Sequence, residues 1–178
     1  MSIDTLRASI PDFAKDLRLN LESVLAPTGA PGLAERQIRA VAYASAIASR
    51  HKPLTDALEA QAATQLDAAE LGGVRTAAAL MAMTNIYYRF THLVDDKEYA
   101  TLRAGLRMNA MASPGIDKVT FELCALAVSA VNGCGACLDS HEKVLRQHGL
   151  AAQAVQSAAR IAAVVHAVAV TLEQAPAP

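Results

Sequence analysis

Two of the three cysteines in this chain, Cys134 and Cys137, stand three residues apart in VSAVNGCGACLDSHEKVLR, residues 128–146, and His141 follows four residues after the second. On a helix these three share one face, at i, i+4 and i, i+7. Asn132 is an N-cap candidate, which places Cys134 in the first turn of the next helix and Cys137 one turn on. The unpaired amides and positive dipole end there favour a thiolate. Gly133, Gly135 and Ala136 would leave both sulfurs open to a bulky disulfide partner or a peroxide. His141 could accept a proton from Cys137 or hold its thiolate, which is how a cysteine nucleophile is activated.

A carboxylate would then orient the imidazole. Of the nearby acids, Asp139 and Glu142 point away from the shared face by roughly 200° and 100° at about 100° per residue. Glu122 remains, an acid inside FELCALAVSAV, a stretch that reads as a mostly buried helix. Acids are rarely fully buried without a partner. Glu122 lies twelve residues before Cys134 and His141 seven after it, so a simple antiparallel hairpin would not bring them level. Their contact calls for a kink or a bridging water.

A zinc site is the sharper rival, with Cys134, Cys137 and His141 as ligands and His148 or an acid as the fourth. Cys124 reads as a small core residue. His51, His92, His148 and His166 read as surface or satisfied core residues, His166 as buried in the last helix. The methionine pairs Met81/Met83 and Met108/Met111 read as packing, and THLVDDKEYATLR as a solvated connection or a subunit contact.

The elements that must position these residues are helical throughout. Ala, Leu, Gln, Glu and Arg dominate, strand-like alternation is nearly absent, and the chain is predicted to be all-α. Helices are expected over residues 3–14 and onward past Pro11 to 25, then 33–49, 54–65, 68–88, 99–110, 118–131, 134–148 and 151–175. Breaks are expected at GAPG, Lys52-Pro53, Ser113-Pro114-Gly115, Asn132-Gly133 and Gly149, with the tail QAPAP frayed. A shift of 84 residues sets ASA at residue 44 against VSA at 128, and AALMAM at 78 against AAVVHA at 162. Such an echo fits a duplicated helical unit, with half-repeats at about 36–90 and 120–175 inside one domain of residues 1–178. Arg50 and Pro53 then stand where Cys134 and Cys137 do, so only the second half carries the chemistry.

With a formal net charge of -1 and 19% charged residues, the chain lacks the basic excess of a nucleic-acid binder. No uninterrupted apolar run reaches the ~18 residues of a membrane span, and the start has no signal-like apolar stretch. A cytoplasmic protein is expected, where a close cysteine pair is redox-active or metal-binding rather than a structural staple.

These residues resemble a bacterial family, the alkyl hydroperoxide reductase D-type (AhpD) proteins of the carboxymuconolactone decarboxylase-like superfamily. TFELCALAVSAVNGCGACLDSHEKVLR carries the acid, the CxxC pair and the HE that follows, while LRAGLRMN, SPGIDK, MTNIYYR and the opening MSIDTLRASIPDFAKDLRLNLESV look like the AhpD branch. The resemblance spans nearly the whole length. It implies an AhpD-like helical fold, a homotrimer, and an antioxidant hydroperoxidase that recycles the peroxiredoxin AhpC. It also implies roles: Cys137 becomes the sulfenic acid or the mixed disulfide with the partner, Cys134 is proton donor and resolving thiol, and Glu122 and His141 form the proton relay. The implied reductant is the lipoyl group of a 2-oxoacid dehydrogenase component, with no bound cofactor or metal. Some members carry a histidine between the cysteines, where Ala136 stands here. The alternatives are a carboxymuconolactone decarboxylase-like lyase, whose activity would survive loss of both cysteines, and a zinc-stabilised helical interaction module.

Overall fold

The computed structural model describes residues 1–174; residues 175–178, which include the end of the expected last helix and most of the expected frayed tail, lie outside the described residues. Among the described residues there are nine α-helices and no strand, and the fold is all-α.

The first helices are set by local signals. Ser2 caps α1 (Ile3–Ser9), its hydroxyl accepting from the Thr5 amide at 3.2 Å. The expected continuation past Pro11 fails: Ile10, the residue before the proline, is extended, and α2 (Asp16–Leu25) begins afresh after a 3-10 turn at Asp12–Ala14. α3 (Glu35–Ser49) ends on Arg50 at φ 61°. Lys52-Pro53 was an expected break but opens α4 (Lys52–Ala62) instead, because a proline in the first helical turn costs no hydrogen bond. His51 caps that helix, its Nδ1 accepting from the Leu54 amide at 3.1 Å. Asp67 and Glu70 form a reciprocal capping box at the start of α5 (Ala68–Leu93). In α5, Gly73 permits a close approach: a Cβ there would stand 2.6 Å from Ile116 and 2.7 Å from the Pro114 carbonyl oxygen.

The expected helix over 99–110 is the main error. Only α6 (Glu98–Thr101) and a 3-10 turn at Asn109–Ala112 form, with Gly105 at φ 66° between them. Leu102 stays 54% exposed, so no buried apolar face rewards helix formation there.

Asp117 caps α7 (Lys118–Val131), accepting from the Thr120 amide at 2.9 Å. Every residue of α7 from Thr120 to Ser129 is buried. This central helix packs against α3, α5, α8 (Gly135–Gln147) and α9 (Ala152–Gln174). By length and composition α9 could cross a membrane, contrary to the count of uninterrupted apolar residues. Its Ala154, Ala158, Ile161, Val165 and Val168 are buried, and it packs on α2, α3 and α7, as a core helix does. His166 lies on its exposed side rather than in the core.

Candidate active site

α7 ends at Val131, and Asn132 is its C-cap rather than the N-cap of the next helix. Gly133 then turns the chain at φ 67°, and a Cβ would meet no atom within 4 Å there, so it is the backbone conformation that calls for glycine. Cys134 is itself the extended N-cap of α8, one residue outside the helix rather than in its first turn. Its amide donates to the Ser129 carbonyl at 3.0 Å.

A buried amide network holds this turn. Asn85 of α5, fully buried, donates to Ser129 Oγ at 2.9 Å, and its side-chain oxygen accepts from Asn132 Nδ2 at 3.0 Å. Arg89, one turn further along α5, donates to the Asn132 carbonyl. Two α5 side chains therefore fix the loop that carries the first cysteine.

Cys134 and Cys137 are joined by a disulfide, with Cα atoms 5.3 Å apart, inside the ordinary range for such a bridge. The pair is less open than its glycine-rich surroundings suggest: Cys134 is 0% exposed and Cys137 6%. Access to Cys137 runs through a cavity of about 280 Å³, shared with His141, Ala136, Met81, Met108, Met111 and Tyr88. The cavity wall is mostly apolar and rich in thioethers. Met81, Met108 and Met111 therefore line the site rather than merely packing the core, and the exposed segment after α6 supplies two of the three.

His141 and Glu122 meet directly. Nδ1 of His141 lies 2.6 Å from Oε2 of Glu122, a direct contact that leaves no room for a bridging water. The expected mismatch is small, because the turn consumes part of the count: nine residues separate Glu122 from the end of α7 and six separate His141 from the start of α8. The difference is about 4.5 Å of helix rise, which two long side chains span.

Glu122 is 2% exposed, and Lys118 Nζ approaches its other oxygen, Oε1, at 2.7 Å. Burial alone would raise the carboxyl pKa, but the hydrogen bonds from His141 and Lys118 outweigh it and hold the group below its ordinary value. An ionised carboxylate only accepts, so Nδ1 of His141 carries a proton. Nε2 lies 3.1 Å from Met81 Sδ. A thioether also only accepts, so this contact is a hydrogen bond when Nε2 is protonated too. In that state both imidazolium N–H groups have acceptors.

Lys118 carries no site role in the sequence pattern, and Met81 reads there as packing. Lys118 was findable, since it stands at i−4 from Glu122 on the same helix face; Met81 reaches the imidazole only through tertiary packing. Asp139 and Glu142 stay outside the site, and Glu142 pairs with Arg146 at 3.8 Å. Cys124 is a fully buried core residue whose thiol pKa is pushed up by burial. Among the described residues no three of His, Cys, Asp and Glu gather into a metal site, and His148 does not join the cysteines.

The carboxymuconolactone decarboxylase family model matches residues 97–177, the part that contains α7, α8 and α9. An alkyl hydroperoxide reductase AhpD of Bradyrhizobium sp. (strain BTAi1 / ATCC BAA-1182) is 54% identical over 98% of this chain and 95% of its own length. The chain belongs to the AhpD family. The AhpD proteins of Rhodopseudomonas palustris (strain BisA53), 52% identical over 97% of this chain and 94% of its own length, and of Brucella suis (strain ATCC 23445 / NCTC 10510), 48% identical over 98% of each, give the same result. The likeness therefore runs through α1 to α9, and includes the part of the chain that the family model leaves unmatched.

Proposed function

We propose that the protein is an antioxidant alkyl hydroperoxide reductase working through the Cys134/Cys137 dithiol. It is an oxidoreductase acting on peroxide, in keeping with the names of its relatives. The observation that carries the reading is the cavity in which Cys137, bonded to Cys134, shares a wall with His141 of the His141–Glu122 pair.

In the reduced protein the Cys137 thiolate attacks the terminal oxygen of a hydroperoxide. The O–O bond breaks, Cys137 becomes a sulfenic acid, and the departing alkoxide takes a proton from His141 to leave as an alcohol. The Cys134 thiol then attacks the sulfenic sulfur, its own proton leaving with the expelled hydroxide as water, and the disulfide seen here results. Glu122 holds Nδ1, so the imidazole presents Nε2 to the reaction. Cys134 has no surface of its own, which suits a thiol whose partner is already in place.

The same dithiol can reduce a peroxiredoxin disulfide: Cys137 forms the mixed disulfide and Cys134 releases it. On this reading AhpC is the partner, lipoyl groups of a dehydrogenase component restore the dithiol, and the protein works in the cytoplasm as a homotrimer. Exposed Ile86, Phe90 and Leu93 of α5 and Leu102 just after α6 are apolar surface available for assembly.

The test counts thiols. Reduced wild type, Cys134→Ser and Cys137→Ser are mixed with cumene hydroperoxide and followed by mass spectrometry. The expected result is rapid loss of two thiols in wild type, a trapped sulfenic acid in Cys134→Ser and almost no reaction in Cys137→Ser. Equal, slow thiol loss in all three would overturn the reading.

A further inference from the structure

Glu122 has both carboxylate oxygens engaged, one by His141 and one by Lys118, and these two partners face opposite surroundings. His141 is buried at the wall of the Cys137 cavity. Lys118 is 48% exposed and lines a different cavity of about 540 Å³, together with Asp67, Glu70 and Asp117. Met111 borders both cavities and stands between them. The acids of the second cavity have a cation of their own, Arg36 of α3, which pairs with Glu70 and with Asp117 at 3.3 Å. The ion-pair partner of Lys118 among the described residues is Glu122.

From this arrangement we infer that Lys118 is a positioning residue whose ammonium sets the proton affinity of the His141–Glu122 pair from outside the substrate cavity. The inference rests on the proton-relay reading of the preceding subsection. A bare carboxylate at this depth has two ways to relieve its charge: to take up a proton itself, or to hold its histidine partner as imidazolium. Either would stop His141 from cycling. With Lys118 in place, Lys118 and Glu122 form a neutral pair, and the imidazole can give up its proton without leaving an uncompensated buried anion. Because the ammonium sits in its own solvent-facing cleft, a hydroperoxide or peptide filling the Cys137 cavity does not displace it.

The charged groups facing the pair are few. Lys118 lies on the same helix as Glu122, with Asp117 capping that helix beside it; His141 comes from α8, as does Cys137, whose thiol shares the cavity wall with His141 in the reduced protein; Arg36 comes from α3, and Asp67 and Glu70 stand at the start of α5. Among the described residues, α9 pairs no acid or base with Glu122 or Lys118. Removing the positive charge raises the proton affinity of both members of the pair, which then titrate as a coupled unit.

The experiment compares wild type with Lys118→Met, Lys118→Gln and Lys118→Arg. The His141 imidazole is titrated by NMR in the disulfide form, and the rate of thiol oxidation by cumene hydroperoxide is measured against pH in the reduced form. The expected result is a His141 midpoint raised by about one pH unit in Lys118→Met, with the alkaline limb of the rate profile, where His141 loses the proton it gives to the alkoxide, moving the same way. Lys118→Gln, which keeps a hydrogen-bond donor without the charge, should show the same rise, and Lys118→Arg should return close to wild type. An unchanged midpoint in the neutral variants, or full restoration by glutamine, would overturn the inference. If Lys118→Met melts too early to titrate, Lys118→Gln decides. If wild type consumes no hydroperoxide, the relay reading fails on its own account, while the NMR titration still decides whether Lys118 controls the pair.

Discussion

A carboxylate that is 2% exposed stays ionised only if its neighbours replace the water it has lost, and at Glu122 an imidazole and an ammonium do so. Its folded pKa lies below the ordinary 4.5, so its ionisation adds stability above that pH, and the contribution is lost as pH falls through the depressed folded value. Wild type should therefore lose stability on acidification more steeply than Glu122→Gln. At neutral pH the variant should be less stable by about 1–3 kcal/mol, the cost of a poorly satisfied buried group. Urea denaturation at pH 7 and pH 4 checks both; parallel pH slopes would contradict the assignment. Cysteine, histidine and acid could be found in the sequence because reactive residue types at helical spacing in an apolar stretch are conspicuous. Met81 could not, because a thioether in a helix of alanines and methionines reads as packing until its sulfur is seen beside Nε2.

At the scale of elements, the redox turn depends on α5 as much as on α7 and α8. Asn85→Ala would strip the fully buried Ser129 Oγ and the half-buried Asn132 Nδ2 of partners, with an expected cost of about 1–3 kcal/mol. Gly133→Ala would cost about 1–2 kcal/mol through its left-handed backbone alone, since no neighbouring atom obstructs the new methyl group. Thermal melts read the two costs, and peroxide-driven thiol loss should slow in both variants because the loop bearing Cys134 loosens. Most helix bounds were legible from caps and apolar periodicity. Residues 99–110 misled because strong helix formers are insufficient without a face to bury, and Asn132 misled because one residue can end a helix as readily as cap another. The helices α3, α4 and α5 start at 35, 52 and 68, and α7, α8 and α9 at 118, 135 and 152. We propose that they are two copies of one unit. On that register the N-cap His51 stands where Cys134 does, and not Arg50 as the sequence shift suggests.

At the scale of the whole molecule, the site lies where central α7 meets α5 and α8, so its chemistry and the stability of the core share residues. That coupling was beyond sequence pattern, which reports one helix face at a time and not which faces meet. The disulfide should add to global stability on top of its redox role, and the reduced protein should melt below the oxidised one, as scanning calorimetry of both forms would show. Cys124 has a separate consequence. It is fully enclosed in α7, with its thiol held in the protonated form, so it cannot react with an alkylating reagent while the helix is packed. In the oxidised protein it carries the lone free sulfhydryl of the chain, as the other two cysteines are bonded together. The rate at which it takes up iodoacetamide then reports the fraction of time the core stands open, with no engineered probe.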